Sequence, residues 1–269
     1  MSQATYYSDI KILKKPLKIK IKNFFKFFLI MVVVVGCFLS AKYLSRALTV
    51  GNLGALIVYG DTKIKTDENV FYAVTLGEYV DKLEAERVAL GSTVQGAGGY
   101  VWEKDDRYYV VGNVYVNYAD AQKVLENLSN TKYAVSIMEI TFGAINIDFS
   151  MYENSDMDII NKAINVFDSV YTQLYDYSIR YDKKEITHLA ISSGVSEMRG
   201  NIKSIIVDVQ NLINKSQSDL TKIQNALIKL DELLDQTIIK TIDNSSTSYS
   251  IKYSLISVVR IKYELFSVL

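Results

Sequence analysis

Apolar residues recur along this chain in different rhythms, and the changes of rhythm divide it. From Phe27 to Ala41 the chain reads FFLIMVVVVGCFLSA, fifteen residues without a charge. Asn23 to Phe25 before Lys26, and Tyr43 and Leu44 after Lys42, extend the run to the roughly twenty residues that a membrane span needs. Lys26 and Lys42 can snorkel to the two interfaces, so residues 23–44 are predicted to form one transmembrane helix. A cleaved leader or a buried core helix are the alternatives. Leu39 at the −3 position before Ala41 is a poor cleavage site.

Beyond residue 69 the rhythm shortens to two. Phe71–Leu76 (FYAVTL) is β-prone, and Gly77 is expected to end it. Leu83, Arg87, Leu90 and Val94 carry helical spacing, closed by Gly96, Gly98 and Gly99. Tyr100–Glu103 and Tyr108–Val111 read as two strands of a hairpin with Lys104, Asp105, Asp106 and Arg107 as its turn. A second helix fits Ala119–Leu128 and a closing strand fits Ala134–Ile140. The order βαββαβ predicts a four-stranded antiparallel sheet with two helices on one face and the other face open. With Val74 and Leu76 toward the helices, period two places Ala73 and Thr75 on the open face, with Tyr108 and Val110 expected beside them.

From residue 153 the period becomes helical. One apolar stripe runs through Ile160, Ala163, Ile164, Phe167, Val170, Tyr171 and Leu174 behind a Ser155/Asp158 capping box. Another joins Ile202, Ile205, Ile206, Val209, Leu212 and Ile213, and a third joins Leu220, Ile223, Leu227, Leu230 and Leu234. Ser216 and Asp219 separate the last two, which predicts an antiparallel hairpin; Gly194 and Gly200 are expected to weaken or divide the helix before it. After a break at Asp243–Ser246, a final segment with Ile251, Leu255, Val258, Leu265 and Phe266 completes a bundle of three or four helices. The same stripes could instead meet an envelope partner or a second copy of the chain.

The expected architecture is therefore α+β: an N-terminal transmembrane helix, a βαββαβ antiparallel-sheet domain and an all-α bundle. Its segments are a basic tail (1–22), the span (23–44), a linker (45–69), the sheet domain (70–141) and the helical domain (153–269). Charge refines this picture. The whole chain balances thirty basic against thirty acidic residues, yet the first 26 residues hold seven lysines and one acid, Asp9. The positive-inside bias puts the N-terminus in the cytoplasm and the later domains outside. The net-acidic remainder argues against nucleic acid as a partner.

Chemistry is sparse. Cys37 is the sole cysteine and His188 the sole histidine, so internal disulfides, cysteine-based zinc sites and multi-histidine metal sites are excluded. No phosphate loop or nucleophile elbow occurs, and the glycine cluster GAGG precedes a strand rather than a helix. No catalytic residue, metal or cofactor is expected, and no enzyme activity.

Leu76-Gly77-Glu78-Tyr79, Ala85-Glu86, Val111-Gly112-Asn113 and Ala119-Asp120-Ala121 fall in an order that resembles the SPOR domain, the sporulation-related repeat of bacterial envelope proteins. The resemblance covers about residues 70–141. It implies binding of peptidoglycan glycan strands stripped of stem peptides, in cell division or sporulation, by a single-pass protein of the cell membrane. Candidate glycan-binding residues are Thr75, Tyr79, Trp102, Tyr108, Val110 and Tyr115, because sugar C–H faces stack on aromatic rings. Two positions depart from the family pattern: Thr75 stands for a glutamine and Tyr108 for an arginine, and both changes remove hydrogen-bond donors. They favour the alternative, a scaffold or interaction protein whose sheet face packs on its own helices or on another protein.

Overall fold

The structure is a computed structural model that describes residues 63–65, 68–129, 131–149, 152–213 and 218–269. The expected span, residues 23–44, lies outside them; among the described residues no helix is long and apolar enough to cross a membrane.

Two strands, β1 (Lys63–Lys65) and β6 (Asn146–Asp148), form a small antiparallel pair. The main sheet has β2 (Asn69–Tyr79) at its centre, flanked by β4 (Arg107–Tyr115) and β5 (Ser136–Phe142), with β3 (Tyr100–Lys104) outside β4. All pairings are antiparallel, in the order β3-β4-β2-β5. Helices α1 (Lys82–Thr93) and α2 (Tyr118–Leu128) complete the βαββαβ unit, as the periodicity predicts. The β3–β4 turn is tighter than expected. Lys104 pairs with Arg107, leaving Asp105 and Asp106 as a two-residue loop at φ 51° and 57°, the left-handed conformation that matches strand twist.

Gly77 does not end its strand, nor does Gly112. Both sit at irregularities inside continuous strands. Ala73 pairs with Val114 and Thr75 with Val111, so β4 carries an extra residue at Gly112; Glu78 then pairs with Tyr109, so β2 carries one at Gly77. Two opposed bulges cancel, which restores register while bending the centre of the sheet. Gly77 has φ 154°, and a Cβ there would lie 2.8 Å from the Tyr79 ring.

Four long helices follow: α3 (Asn154–Asp182), α4 (His188–Ile213), α5 (Ser218–Thr241) and α6 (Asn244–Val268). Helix α3 starts earlier than the Ser155/Asp158 box suggests, with Asp156 accepting from the Glu153 N–H at 3.4 Å. Helices α4 and α5 are antiparallel, since Arg199 midway along α4 binds Asp231 and Asp235 of α5, while Gln210 near the end of α4 meets Gln224 near the start of α5. Gly194 and Gly200 do not divide α4, which runs unbroken. Instead Gly194 makes room for Tyr177 of α3, whose Cζ would lie 2.8 Å from an added Cβ. Asp243 caps α6 by accepting from the Ser245 N–H at 3.0 Å.

Helix α6 is the keystone of the core. Its buried residues occur all round its axis, among them Ile251, Leu255, Ile256, Val259, Leu265 and Phe266, the pattern of a helix enclosed by neighbours. Its serine edge meets α5, where the Ser254 and Thr237 hydroxyls are 2.6 Å apart; small side chains let the two backbones approach. The opposite edge meets the sheet, and a Cβ on Gly98 would lie 3.1 Å from the Lys252 carbonyl carbon. Sheet and bundle consequently share one continuous apolar core.

Candidate functional site

A sheet of this topology has two faces, and strand parity decides what each offers. The face away from α1 and α2, expected to be open, is covered. Phe71 packs edge-on to Tyr171 of α3 at 5.1 Å, and Phe142 meets Phe266 of α6 at 5.8 Å. The Tyr171 hydroxyl donates to the Val114 carbonyl at 3.1 Å, pinning α3 to the sheet beside the Gly112 bulge. The open-face expectation fails because this face carries large apolar residues, Phe71, Trp102, Met138, Ile140 and Phe142; leaving them in water is costlier than closing α3 and α6 over them.

The six candidate residues separate accordingly. Thr75 and Trp102 lie on the covered face. Thr75 is fully buried, and its hydroxyl meets Ser136 Oγ at 2.7 Å, so its hydrogen bonding is satisfied within the sheet. Trp102 is 2 % exposed; the Tyr263 ring lies 5.8 Å away and the Arg260 guanidinium 4.8 Å from its centroid. Arg260 is itself held by Glu264 at 2.8 Å and donates to the Glu103 carbonyl. Tyr100 sits beside Trp102 against Tyr253 of α6, and burial, with Tyr253 adjacent, pushes its phenol up to about 12.

Tyr79, Tyr108 and Val110 lie on the other face, packed with Leu76, Ala85 and Ala89 beneath α1. The expectation that Tyr108 and Val110 stand beside Thr75 is thus corrected. Thr75 pairs with Val111, and Val110 has the opposite parity. Burial and the negative charge of Glu84 raise the Tyr79 phenol. Tyr115 faces α2, packing with Val74 and Ala121 and edge-on against Tyr175 of α3 at 6.2 Å. No single surface unites the six.

What the helix side does possess is a cleft of about 650 Å³ between α1 and α2. Val74, Leu76 and Gly112 form its floor, Val124 and Leu128 of α2 one wall, and Tyr175 and Ile179 of α3 its far side. Tyr115, Tyr133, Asp182 and Lys252 also line it. Only Tyr115 of the candidates belongs to it. Periodicity alone could not reveal the cleft, because it depends on the bulge at Gly112 and on α3 wrapping the sheet edge. The sequence did carry one signal, a glycine amid β-branched residues.

Among the described residues no group of three or more His, Cys, Asp or Glu could hold a metal ion. His188 sits at the start of α4 with Nδ1 3.2 Å from the Thr241 carbonyl oxygen, a contact between helix ends. Compared with family models, curated proteins and solved structures, the chain matches none.

Proposed function

We propose that this chain is a non-catalytic scaffold or interaction protein of the bacterial envelope, tethered by residues 23–44, whose SPOR-like module has given up its sheet platform to the chain's own helices. The observation that carries this reading is the covered face, with Trp102 buried against Tyr263 and Arg260. Thr75 supports it, since a buried hydroxyl already bonded to Ser136 has nothing to offer a sugar.

Tethering and interaction fit together physically, because confinement to the membrane raises the effective concentration of the helical module near envelope partners. The basic tail sets orientation, with the N-terminus inside and residues 63–269 outside the membrane.

The test is retention of the detergent-solubilised chain on wall sacculi, with and without amidase treatment. This reading predicts equal and negligible retention on both and no released muropeptides. Selective retention on amidase-treated sacculi would overturn it in favour of glycan binding; released muropeptides would overturn its non-catalytic part.

A further inference from the structure

Helix α1 lays Ala85, Ala89 and Ser92 against the sheet. On its opposite side Leu83, Leu90 and Val94, with Val80 just ahead of the helix, are each at least 70 % exposed. Together with Arg87 they recur at alternating spacings of three and four, which draws a single stripe along a helix. Isolated apolar residues on a surface are ordinary, but an aligned row has the form of a coiled-coil seam.

Gly91 borders this stripe. Glycine weakens a helix, yet no contact among the described residues requires one here, because an added Cβ would meet no atom within 4 Å. A missing side chain at an outward position suits a second backbone that comes close from outside.

The charges narrow the choice of occupant. Arg87 lies within the stripe, and Glu84 and Glu86 flank it on its two sides. Among the described residues Arg87 and Glu84 make no ion pair, and Glu86 has Lys82 at 3.9 Å. A bilayer surface is a poor fit, since interfacial helices are rich in lysine and arginine, whereas Asp81, Glu84 and Glu86 here outnumber Lys82 and Arg87. A second copy in parallel would set Arg87 on Arg87. An antiparallel copy, related by a two-fold axis, sets Leu83 against Val94 and lays the Arg87 stem on Leu90 beside Gly91 of the other copy. The guanidinium then reaches the other copy's glutamates.

We propose that the outward stripe of α1 docks antiparallel on the same stripe of a second copy of this chain. A helix of twelve residues is about 18 Å long and buries less than the roughly 800 Å² per partner of a stable free complex. The pairing is therefore weak, and it gains from confinement of copies on one bilayer, the tether proposed above.

Thiol cross-linking of the full chain in uncharged phosphatidylcholine vesicles tests this, with Cys37→Ser removing the native thiol. Copies bearing Leu83→Cys, mixed with copies bearing Val94→Cys, should form disulfides at least tenfold faster than either kind alone, because neither position faces itself. Arg87→Glu in both copies should slow the reaction about tenfold. Arg87→Glu in one copy against Glu84→Arg with Glu86→Arg in the other should restore it. Either kind cross-linking with itself as fast as with the other, or a rate indifferent to the charge reversals, would overturn the proposal. So would a bimane on Leu90→Cys whose blue shift is the same when copies are crowded or diluted in lipid, which would assign the face to the bilayer. A chain that fails to float with the vesicles contradicts the tether alone, and the same cross-linking in solution then decides the pairing.

Discussion

Lys262 of α6 is 3 % exposed, lies over the rings of Phe142 and Phe266, and reaches Asp168 of α3 at 2.6 Å. A buried cation here is tolerable only because the carboxylate is present. Lys262→Met should destabilise the fold by roughly 3–5 kcal/mol, the cost of stranding one partner of a buried pair, whereas Lys262→Met with Asp168→Leu should recover most of it. Burial raises the Asp168 carboxyl, with the charge and hydrogen bond of Lys262 working against the rise. The folded state therefore holds this proton to higher pH than the unfolded chain, so its contribution falls as pH climbs from the ordinary carboxylate value through the raised one. Removing Lys262 lifts the carboxyl further. Urea unfolding should show the Lys262→Met deficit shrinking on acidification from pH 7 to pH 5; a deficit independent of pH would contradict the pairing. At the alkaline end, Tyr100 and Tyr175, both pushed up to about 12 by burial, predict stability falling from pH 10 toward 12, less steeply in Tyr100→Phe.

Individual elements show where sequence pattern has force and where it lacks it. Gly77→Ala should cost roughly 1–3 kcal/mol in denaturant unfolding, because φ 154° is a conformation that glycine adopts freely and alanine does not. Gly112→Ala should cost less, since its Cβ would meet Leu76 at an ordinary 3.5 Å. The order βαββαβ and the four long helices were legible because each run repeats its period several times. The face of α1 was not. Leu83, Leu90 and Val94 suggested the buried stripe, yet they are 75, 73 and 89 % exposed, and Ala85, Ala89 and Ser92 face the sheet. Close packing over Val110 selects small side chains there, which a scale that rewards large apolar residues misreads. Leu83→Gln should consequently change stability by no more than about 0.5 kcal/mol, while Ala89→Leu should cost about 1–3 kcal/mol by overpacking. The register of Tyr108 and Val110 escaped for a different reason. Parity counting assumes an unbroken period of two, and the paired bulges at Gly77 and Gly112 shift it.

At the scale of the whole molecule, the decisive event is the return of α3 and α6 across the sheet. Sequence pattern offered that face as open or as packed on the chain's own helices or on another protein without deciding between them, since docking between elements far apart in the chain leaves no local trace. The cover makes one core of what could have been two modules, and turns an aromatic platform into an interior. Trp102, the chain's sole tryptophan, reports on that cover directly, because it sits between the β3 edge and the Arg260–Tyr263 turn of α6. The most direct test is its fluorescence in the full chain, read with acrylamide as quencher and with denuded glycan strands added. A covered face predicts a blue-shifted emission, weak quenching and no response to glycan. A red-shifted, readily quenched emission that moves when glycan is added would contradict it.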